Sequence, residues 1–132
     1  MIKINTATDY AIRVLIFAAS HPNRLVQIKE IAEAYAISEN HLIKIITSLK
    51  KNGYLETIRG RNGGLRLSKS PETISMGEII MLFEDMIYLK STEFISSDEN
   101  LSIQQHLDQA YLLFFKHLNS ITLNEMVNIE NR

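Results

Sequence analysis

The chain has 132 residues, of which 45% are hydrophobic and 22% charged, and its net charge at pH 7 is −1. This length and hydrophobic content suit one compact unit, or one small domain with a dimerisation element. No apolar run reaches the length of a membrane span and the first residues do not resemble a secretory signal, so we expect a cytoplasmic protein without membrane contact. The sequence contains no cysteine, which excludes disulfides, thiolate metal ligands and a cysteine nucleophile.

Charge is distributed unevenly along the chain. Residues 1–70 contain 11 Lys and Arg against 5 Asp and Glu, a net charge of +6, whereas residues 71–132 contain 3 against 10, a net charge of −7. A basic half joined to an acidic half is typical of a DNA-binding protein whose second half has another role. We therefore predict a DNA-binding domain over residues 1–70, a connecting helix and loop over 71–100, and dimerisation and C-terminal helices over 101–132.

Two helices are predicted before residue 36. Thr6 is interpreted as the N-cap of the first, with Asp9 as its reciprocal partner in a capping box. Apolar residues then recur at helical spacing through Ala18. The second helix covers residues 28–35, and its start is poorly signalled because Gln27 is a weak cap.

A third helix begins after Ser38, a good N-cap, and ends at Asn52-Gly53. Its inward face is apolar and comprises Leu42, Ile45, Ile46 and Leu49. The N-terminal residues of such a helix reach base edges when the helix lies in the major groove of DNA. On this helix we predict DNA contacts at Asn40, His41, Lys44 and Lys50. The alternative for each is an ordinary solvated helix surface.

Residues 59–66, with the sequence Arg-Gly-Arg-Asn-Gly-Gly-Leu-Arg, lie between two strand-like runs at 54–58 and 65–68. Glycine permits tight turns, so this segment is predicted to be the tip of a β-hairpin. A strand follows the segment, whereas a helix follows the phosphate-binding loops of nucleotide-dependent enzymes. A positively charged tip suits the minor groove of DNA, and the alternative is a solvated turn. On this hairpin we predict DNA contacts at Arg59, Arg61, Asn62 and Arg66.

Three helices followed by a hairpin predict a mainly α fold, a winged helix-turn-helix with a long C-terminal dimerisation helix. Capping boxes at Ser75–Glu78 and Thr122–Glu125 begin two further helices. Between them, residues 103–118 have an apolar stripe wider than a solvated helix tolerates. We predict a homodimer formed through Ile103, Leu107, Tyr111, Phe114 and Leu118. The alternative is a monomer with a larger core.

Enzymatic activity has no support in the sequence. The four histidines are scattered, and no metal-binding spacing accompanies them. Gly63-Gly64 lacks the following Lys-Ser/Thr of a nucleotide-binding loop. We therefore expect no catalytic residue, no metal site and no cofactor.

Five segments together resemble a known family: residues 8–13 (Thr-Asp-Tyr-Ala-Ile-Arg), 37–38 (Ile-Ser), 49–53 (Leu-Lys-Lys-Asn-Gly), 59–64 (Arg-Gly-Arg-Asn-Gly-Gly) and 121–123 (Ile-Thr-Leu). They are similar to the Rrf2 family of dimeric bacterial transcription regulators, most closely to its nitric-oxide-sensing, NsrR-like branch. The resemblance covers essentially the whole chain. It implies a homodimer on double-stranded DNA, with the third helix in the major groove and the wing arginines in the minor groove. It further implies repression or activation at a palindromic operator.

One departure from that family concerns its iron–sulfur cluster. The resemblance implies three cysteine ligands in the loop before the dimerisation helix, at positions that are Lys90, Ile95 and Leu101 here. Isoleucine and leucine cannot bind iron. A fourth ligand, an aspartate of the partner subunit, would correspond to Asp9, which we interpret as a helix-capping residue.

We therefore predict a sequence-specific repressor that acts as a homodimer on an A/T-rich operator without an iron–sulfur cluster. Two alternatives stay open. One is a protein-interaction module that kept the fold but no longer regulates a promoter. The other is a regulator switched by a small-molecule effector that the sequence does not identify.

Overall fold

A computed structural model describes residues 2–84 and 101–131 of the chain. The elements run α1 (Thr6–Ala19), α2 (Ile28–Tyr35), α3 (Glu39–Lys51), β1 (Leu55–Ile58), β2 (Gly64–Leu67), a 3₁₀ turn (Pro71–Thr73), α4 (Met76–Phe83), α5 (Leu101–Asn119) and α6 (Leu123–Glu130). Helices α1 to α3 and the two-stranded hairpin form a winged helix-turn-helix, and α5 is the long C-terminal helix. The predicted fold is confirmed. Within the described ranges, no helix is long and apolar enough to cross a membrane.

The N-cap of α1 lies one residue earlier than predicted. Asn5 is the N-cap, and its Oδ1 accepts a hydrogen bond from the backbone N–H of Thr8 at 2.8 Å. The capping box predicted for Thr6 and Asp9 is therefore wrong. The Asp9 carboxylate instead accepts from Nε of Arg13, one helical turn later, at 3.1 and 3.2 Å.

Helix α3 follows the predicted pattern. The Ser38 hydroxyl caps it by accepting from the backbone N–H of His41 at 3.2 Å. Past its end, Gly53 adopts a φ of +84°, which favours glycine. The predicted inward residues are all buried, namely Leu42, Ile45, Ile46 and Leu49. These residues fix which face of α3 is left for other contacts.

The hairpin is a short antiparallel pair of strands, and an isolated β-bridge from residue 26 lies along its second strand. Leu55 lies opposite Leu67, and Ile58 lies opposite Gly64. The backbone of Val26, just before α2, exchanges two hydrogen bonds with Leu65, at 2.9 and 2.8 Å. The hairpin is therefore bonded directly to the segment that leads into α2.

The C-terminal helices close onto the same core. Ser75 and Thr122 are the N-caps of α4 and α6, and they lie opposite each other in an isolated β-bridge. Leu123 is completely buried and belongs to the cluster that contains Ala11 and Val14 of α1. Helix α1 packs against α3, α4 and α6, so it connects the DNA-binding elements to the C-terminal half.

Candidate nucleic-acid interface

The outward face of α3 contains most of the predicted contacts. Asn40, Ile43, Lys44 and Thr47 are exposed and fall within an arc of about 100° at helical spacing, opposite the buried face. Thr47 donates its hydroxyl to the backbone oxygen of Ile43 at 2.7 Å, so that hydroxyl already has a partner. Asn40 and Lys44 are the groups on this face with donors suited to base edges or phosphates.

His41 and Lys50 lie at the margins of that face. The His41 ring is 6.2 Å from the Tyr10 ring, centroid to centroid, so it faces α1 as well as solvent. Lys50 is exposed in the last turn of α3, where a positive charge also favours the helix dipole. Neither side chain shares the direction of Asn40 and Lys44, and the DNA contacts of both residues stay predictions.

The wing tip places two arginines around a glycine. Arg59, Arg61 and Asn62 are exposed, and Gly60 between the arginines has a φ of +116°. A methyl group on Gly63 would collide with the backbone oxygen of Ile58. Glycine at 63 therefore lets the hairpin close tightly.

Cations at the tip have no acidic partner within the part of the chain that the structure describes. The ion pairs there join Arg13 to Asp9, Arg24 to Glu30 and Arg66 to Glu56. Lys44, Arg59 and Arg61 are in none of them. Their charge is available to an external anion.

Arg66 differs from the two tip arginines. Its Nη2 lies 2.8 Å from Oε1 of Glu56, the residue directly opposite on β1. That hydrogen bond raises the pKa of Arg66. An exposed pair of this kind contributes little to stability, so the guanidinium can exchange the carboxylate for a phosphate at small cost. The DNA contact of Arg66 stays a prediction.

Sequence reasoning missed the side chain that anchors the wing. Gln27, the residue before α2, donates from Nε2 to the backbone oxygen of Gly63. A Cβ on Gly64 would lie 2.8 Å from the backbone oxygen of Val26, so this glycine permits the close approach. The bonded groups are 36 residues apart, and no local pattern connects them.

The start of α3 and the end of the wing lie next to each other. A cavity of about 300 Å³ is lined by Gln27 and Lys29 at the start of α2, Glu39 at the start of α3, and Ile58 and Gly64 of the wing. The cavity therefore lies between α2, α3 and the strands of the wing, and none of the predicted DNA-contacting residues lines it.

An apolar groove of about 640 Å³ runs beside α5. Phe115 of α5 is buried, whereas Ile103 and Leu107 are each 57% exposed. Four of the predicted dimerisation residues line the groove, namely Leu107, Tyr111, Phe114 and Leu118. Its lining also includes Ile2, Ile4 and Ile80. Ile103 lies on the same helix face, about one turn before Leu107. The predicted stripe is thus an open surface of the single chain.

The donor set does not fit an iron–sulfur cluster. Lys90 and Ile95, at two positions where the family resemblance implies cysteines, lie outside the described residues, and Leu101 is the first residue of α5. The Asp9 carboxylate is bound to Arg13. Across residues 2–84 and 101–131, no three His, Cys, Asp or Glu side chains are grouped to hold a metal ion. A sequence without cysteine supplies no thiolate for such a cluster.

Comparison with known proteins gives one consistent family. Residues 4–129 match the model of the Rrf2 family, described as an iron-dependent transcriptional regulator. The HTH-type transcriptional regulator NsrR of Bacillus licheniformis is 43% identical over 133 residues, covering 95% of this chain and 92% of the relative. The NsrR of Bacillus subtilis is 42% identical over 133 residues, covering 95% and 90%.

Solved structures agree with the fold. CymR, the global cysteine regulator of B. subtilis, superposes with a TM-score of 0.82 at 27% identity over 98% of both chains. The T. potens IscR superposes with a TM-score of 0.79 at 28% identity, over 98% of this chain and 88% of the other. The family predicted from the five sequence segments is confirmed. The chain belongs to the Rrf2 family and is a DNA-binding transcription regulator.

Proposed function

We propose that this regulator is a homodimeric repressor that binds a palindromic, A/T-rich operator without an iron–sulfur cluster. The observation that supports this most directly is the set of exposed cations on the outward face of α3 and at the wing tip. Lys44, Arg59 and Arg61 are exposed and are in none of the ion pairs of the described residues. Unpaired cations of this kind account for most of the affinity of proteins for the phosphate backbone.

Helix α3 is assigned to the major groove and the wing to the minor groove. A helix fits the width of the major groove, where Asn40 and Lys44 meet donors and acceptors that differ between base pairs. The hairpin tip is narrower and brings two arginines together. Arginine is favoured in a narrow minor groove because the negative potential is strongest there, and A/T-rich sequence narrows that groove.

The groove beside α5 is assigned to a second copy of the chain. Its lining is mainly apolar and includes large residues that solvent would otherwise contact, among them Leu107 and Phe114, which are 57% and 37% exposed. An open apolar surface of this size favours a protein interface. Most soluble homo-oligomers are two-fold dimers, and a two-fold dimer reads a palindrome with half-sites about one helical turn apart.

Repression follows from occupancy of the operator. It requires only DNA-binding and dimerisation elements, which account for most of the described chain. The cluster-less part of the proposal is supported by the absence of cysteine from the sequence. Without a cluster, regulation would depend on the amount of protein or, in the alternative, on a small-molecule effector.

Selection of bound sequences from a random DNA pool tests the proposal. The purified full chain should enrich two inverted half-sites with centres about one helical turn, or a small multiple of it, apart. Asn40→Ala should relax the preference at one base position per half-site, because a bidentate amide contact is lost. Failure to enrich any sequence would contradict sequence-specific binding, and a single unrepeated half-site would contradict the dimer.

A reporter carrying the selected operator beside its promoter separates repression from activation. Expression should fall when the wild-type chain is supplied, and it should recover with the Arg59→Ala variant. Higher expression with the wild-type chain would contradict the repressor assignment while leaving DNA binding intact.

A further inference from the structure

A large apolar side chain is exposed at one edge of the outward face of α3. Ile43 is 49% exposed and lies between Asn40 and Lys44 in sequence. Residues three and four apart are neighbours on a helix surface, so Ile43 adjoins both Asn40 and Thr47. The outward face of α3 therefore presents one large apolar group beside its polar residues.

Folding gives no reason for isoleucine at this position. The inward face of α3 is already filled by four buried residues, and Ile43 is not among them. On an exposed helix surface, a β-branched residue is also a poorer helix former than alanine or lysine. The side chain is not part of the core cluster, and its β-branched shape does not favour the helix.

The major groove offers one apolar group for such a side chain, the 5-methyl group of thymine. Asn40 and Lys44 require hydrogen-bonding edges, and the Thr47 hydroxyl is already bonded to the backbone oxygen of Ile43. We propose that Ile43 packs against a thymine methyl group and so selects T·A at one position in each half-site. This inference rests on the proposed function, because it requires α3 to lie in the major groove.

Replacement of thymine by deoxyuridine tests this inference. Uracil lacks the methyl group but keeps every hydrogen-bonding group of thymine, so the exchange isolates the apolar contact. Each thymine of the selected operator is replaced in turn, and affinity is measured for the wild type and for Ile43→Ala. At one thymine per half-site, wild-type affinity should fall about fourfold, which corresponds to burial of one methyl group.

The Ile43→Ala variant should bind the thymine and uracil operators equally at that position, because the contacting side chain is gone. Alanine favours helices, so α3 should remain folded, and circular dichroism checks this. Ile129→Ala, at an exposed isoleucine of α6, is the matched control and should keep the full fourfold discrimination.

Two results would overturn the inference. The wild type could bind uracil and thymine operators equally at every position, or Ile43→Ala could discriminate as strongly as the wild type. Both leave the proposed function standing, because the chain would still select an operator. A chain that selects no operator would instead overturn the proposed function together with this inference.

Discussion

The Arg66 guanidinium lies 2.8 Å from the Glu56 carboxylate, directly across the two strands of the wing. Arg59 and Arg61, at the tip of the same hairpin, are in none of the ion pairs among the described residues. One wing therefore carries two kinds of arginine. The charge of the tip arginines has no carboxylate partner among the described residues, whereas the charge of Arg66 is offset by Glu56.

Glu56→Gln should release Arg66. One more free cation beside the backbone should steepen the dependence of log affinity on log salt concentration by up to about one unit. A salt titration of operator binding measures this slope. The double variant Glu56→Gln/Arg66→Ala is the control and should lose the added slope. An unchanged slope in Glu56→Gln would show that Arg66 lies away from phosphate.

Arg59→Ala should weaken operator binding by about 1–3 kcal/mol if this arginine contacts base edges in the minor groove. Lys69→Ala removes the same charge at a different place, since Nζ of Lys69 lies 4.6 Å from the centre of the Tyr54 ring. The lysine variant should lose less affinity and should lose it equally on all sequences. Equal losses for the two variants would leave the wing tip as a general source of positive charge.

Gln27→Ala should loosen the wing without disturbing α3. The substitution removes the donor to the Gly63 backbone oxygen, a bond worth about 1 kcal/mol. Backbone amides of Gly63 and Leu65 should then exchange with solvent faster, whereas the amide of Leu49 in α3 should be unaffected. Hydrogen exchange followed by NMR measures both. Unchanged exchange at the two wing amides would show that the Val26–Leu65 backbone bonds alone hold the wing.

Leu107→Asp should give monomers. The substitution places a carboxylate in the apolar groove beside α5, where burial against a second chain would leave the charge unpaired. Leu112→Asp is the matched control, because Leu112 is 61% exposed on the same helix but does not line the groove. Light scattering should report a dimer for the wild type and the control. A monomeric wild type would contradict the dimer and the palindromic operator together.

If the protein holds no iron–sulfur cluster, its affinity for the operator should not respond to nitric oxide. Protein purified without oxygen should be colourless and should contain no stoichiometric iron, because the sequence has no thiolate to hold it. Operator affinity should be the same after exposure to nitric oxide as after exposure to nitrogen gas. Visible absorbance with stoichiometric iron after anaerobic reconstitution would contradict the assignment.

Local signals made α3 predictable. Ser38, the apolar spacing and Asn52-Gly53 all act within a few residues of the helix they define. The start of α1 was not predictable in this way, because Asn5 and Thr6 are adjacent and both can cap a helix. The distant residue Glu84 contacts the Asn5 cap. Its carboxylate accepts hydrogen bonds from the Asn5 backbone N–H at 2.6 Å and from the Thr8 hydroxyl at 2.9 Å. Glu84 is 79 residues from Asn5 and 76 residues from Thr8 along the chain, so no local pattern indicates these bonds.

The candidate site likewise has features that the local sequence indicates and others that depend on tertiary structure. Composition and turn chemistry indicated a basic hairpin with arginines at its tip. They could not show that Arg66 faces Glu56, because that pairing depends on strand register, nor that Gln27 reaches Gly63, because that bond depends on tertiary packing. The spacing of three residues between Thr6 and Asp9 predicts a capping box. In the structure the Asp9 carboxylate instead forms an ion pair with Arg13.

The packing of α1 against α6, beside the β-bridge between Ser75 and Thr122, has a consequence for folding during synthesis. Leu123, the first residue of α6, is completely buried, and its backbone N–H bonds to the Ile74 oxygen at 2.8 Å. Helix α1, near the start of the chain, packs against α6, near its end. A ribosome that has delivered only the helix-turn-helix and the wing has not yet delivered the residues that complete the hydrophobic environment of α1. Helix α1 is thus translated well before α6 and reaches its final surroundings only after α6 has been made.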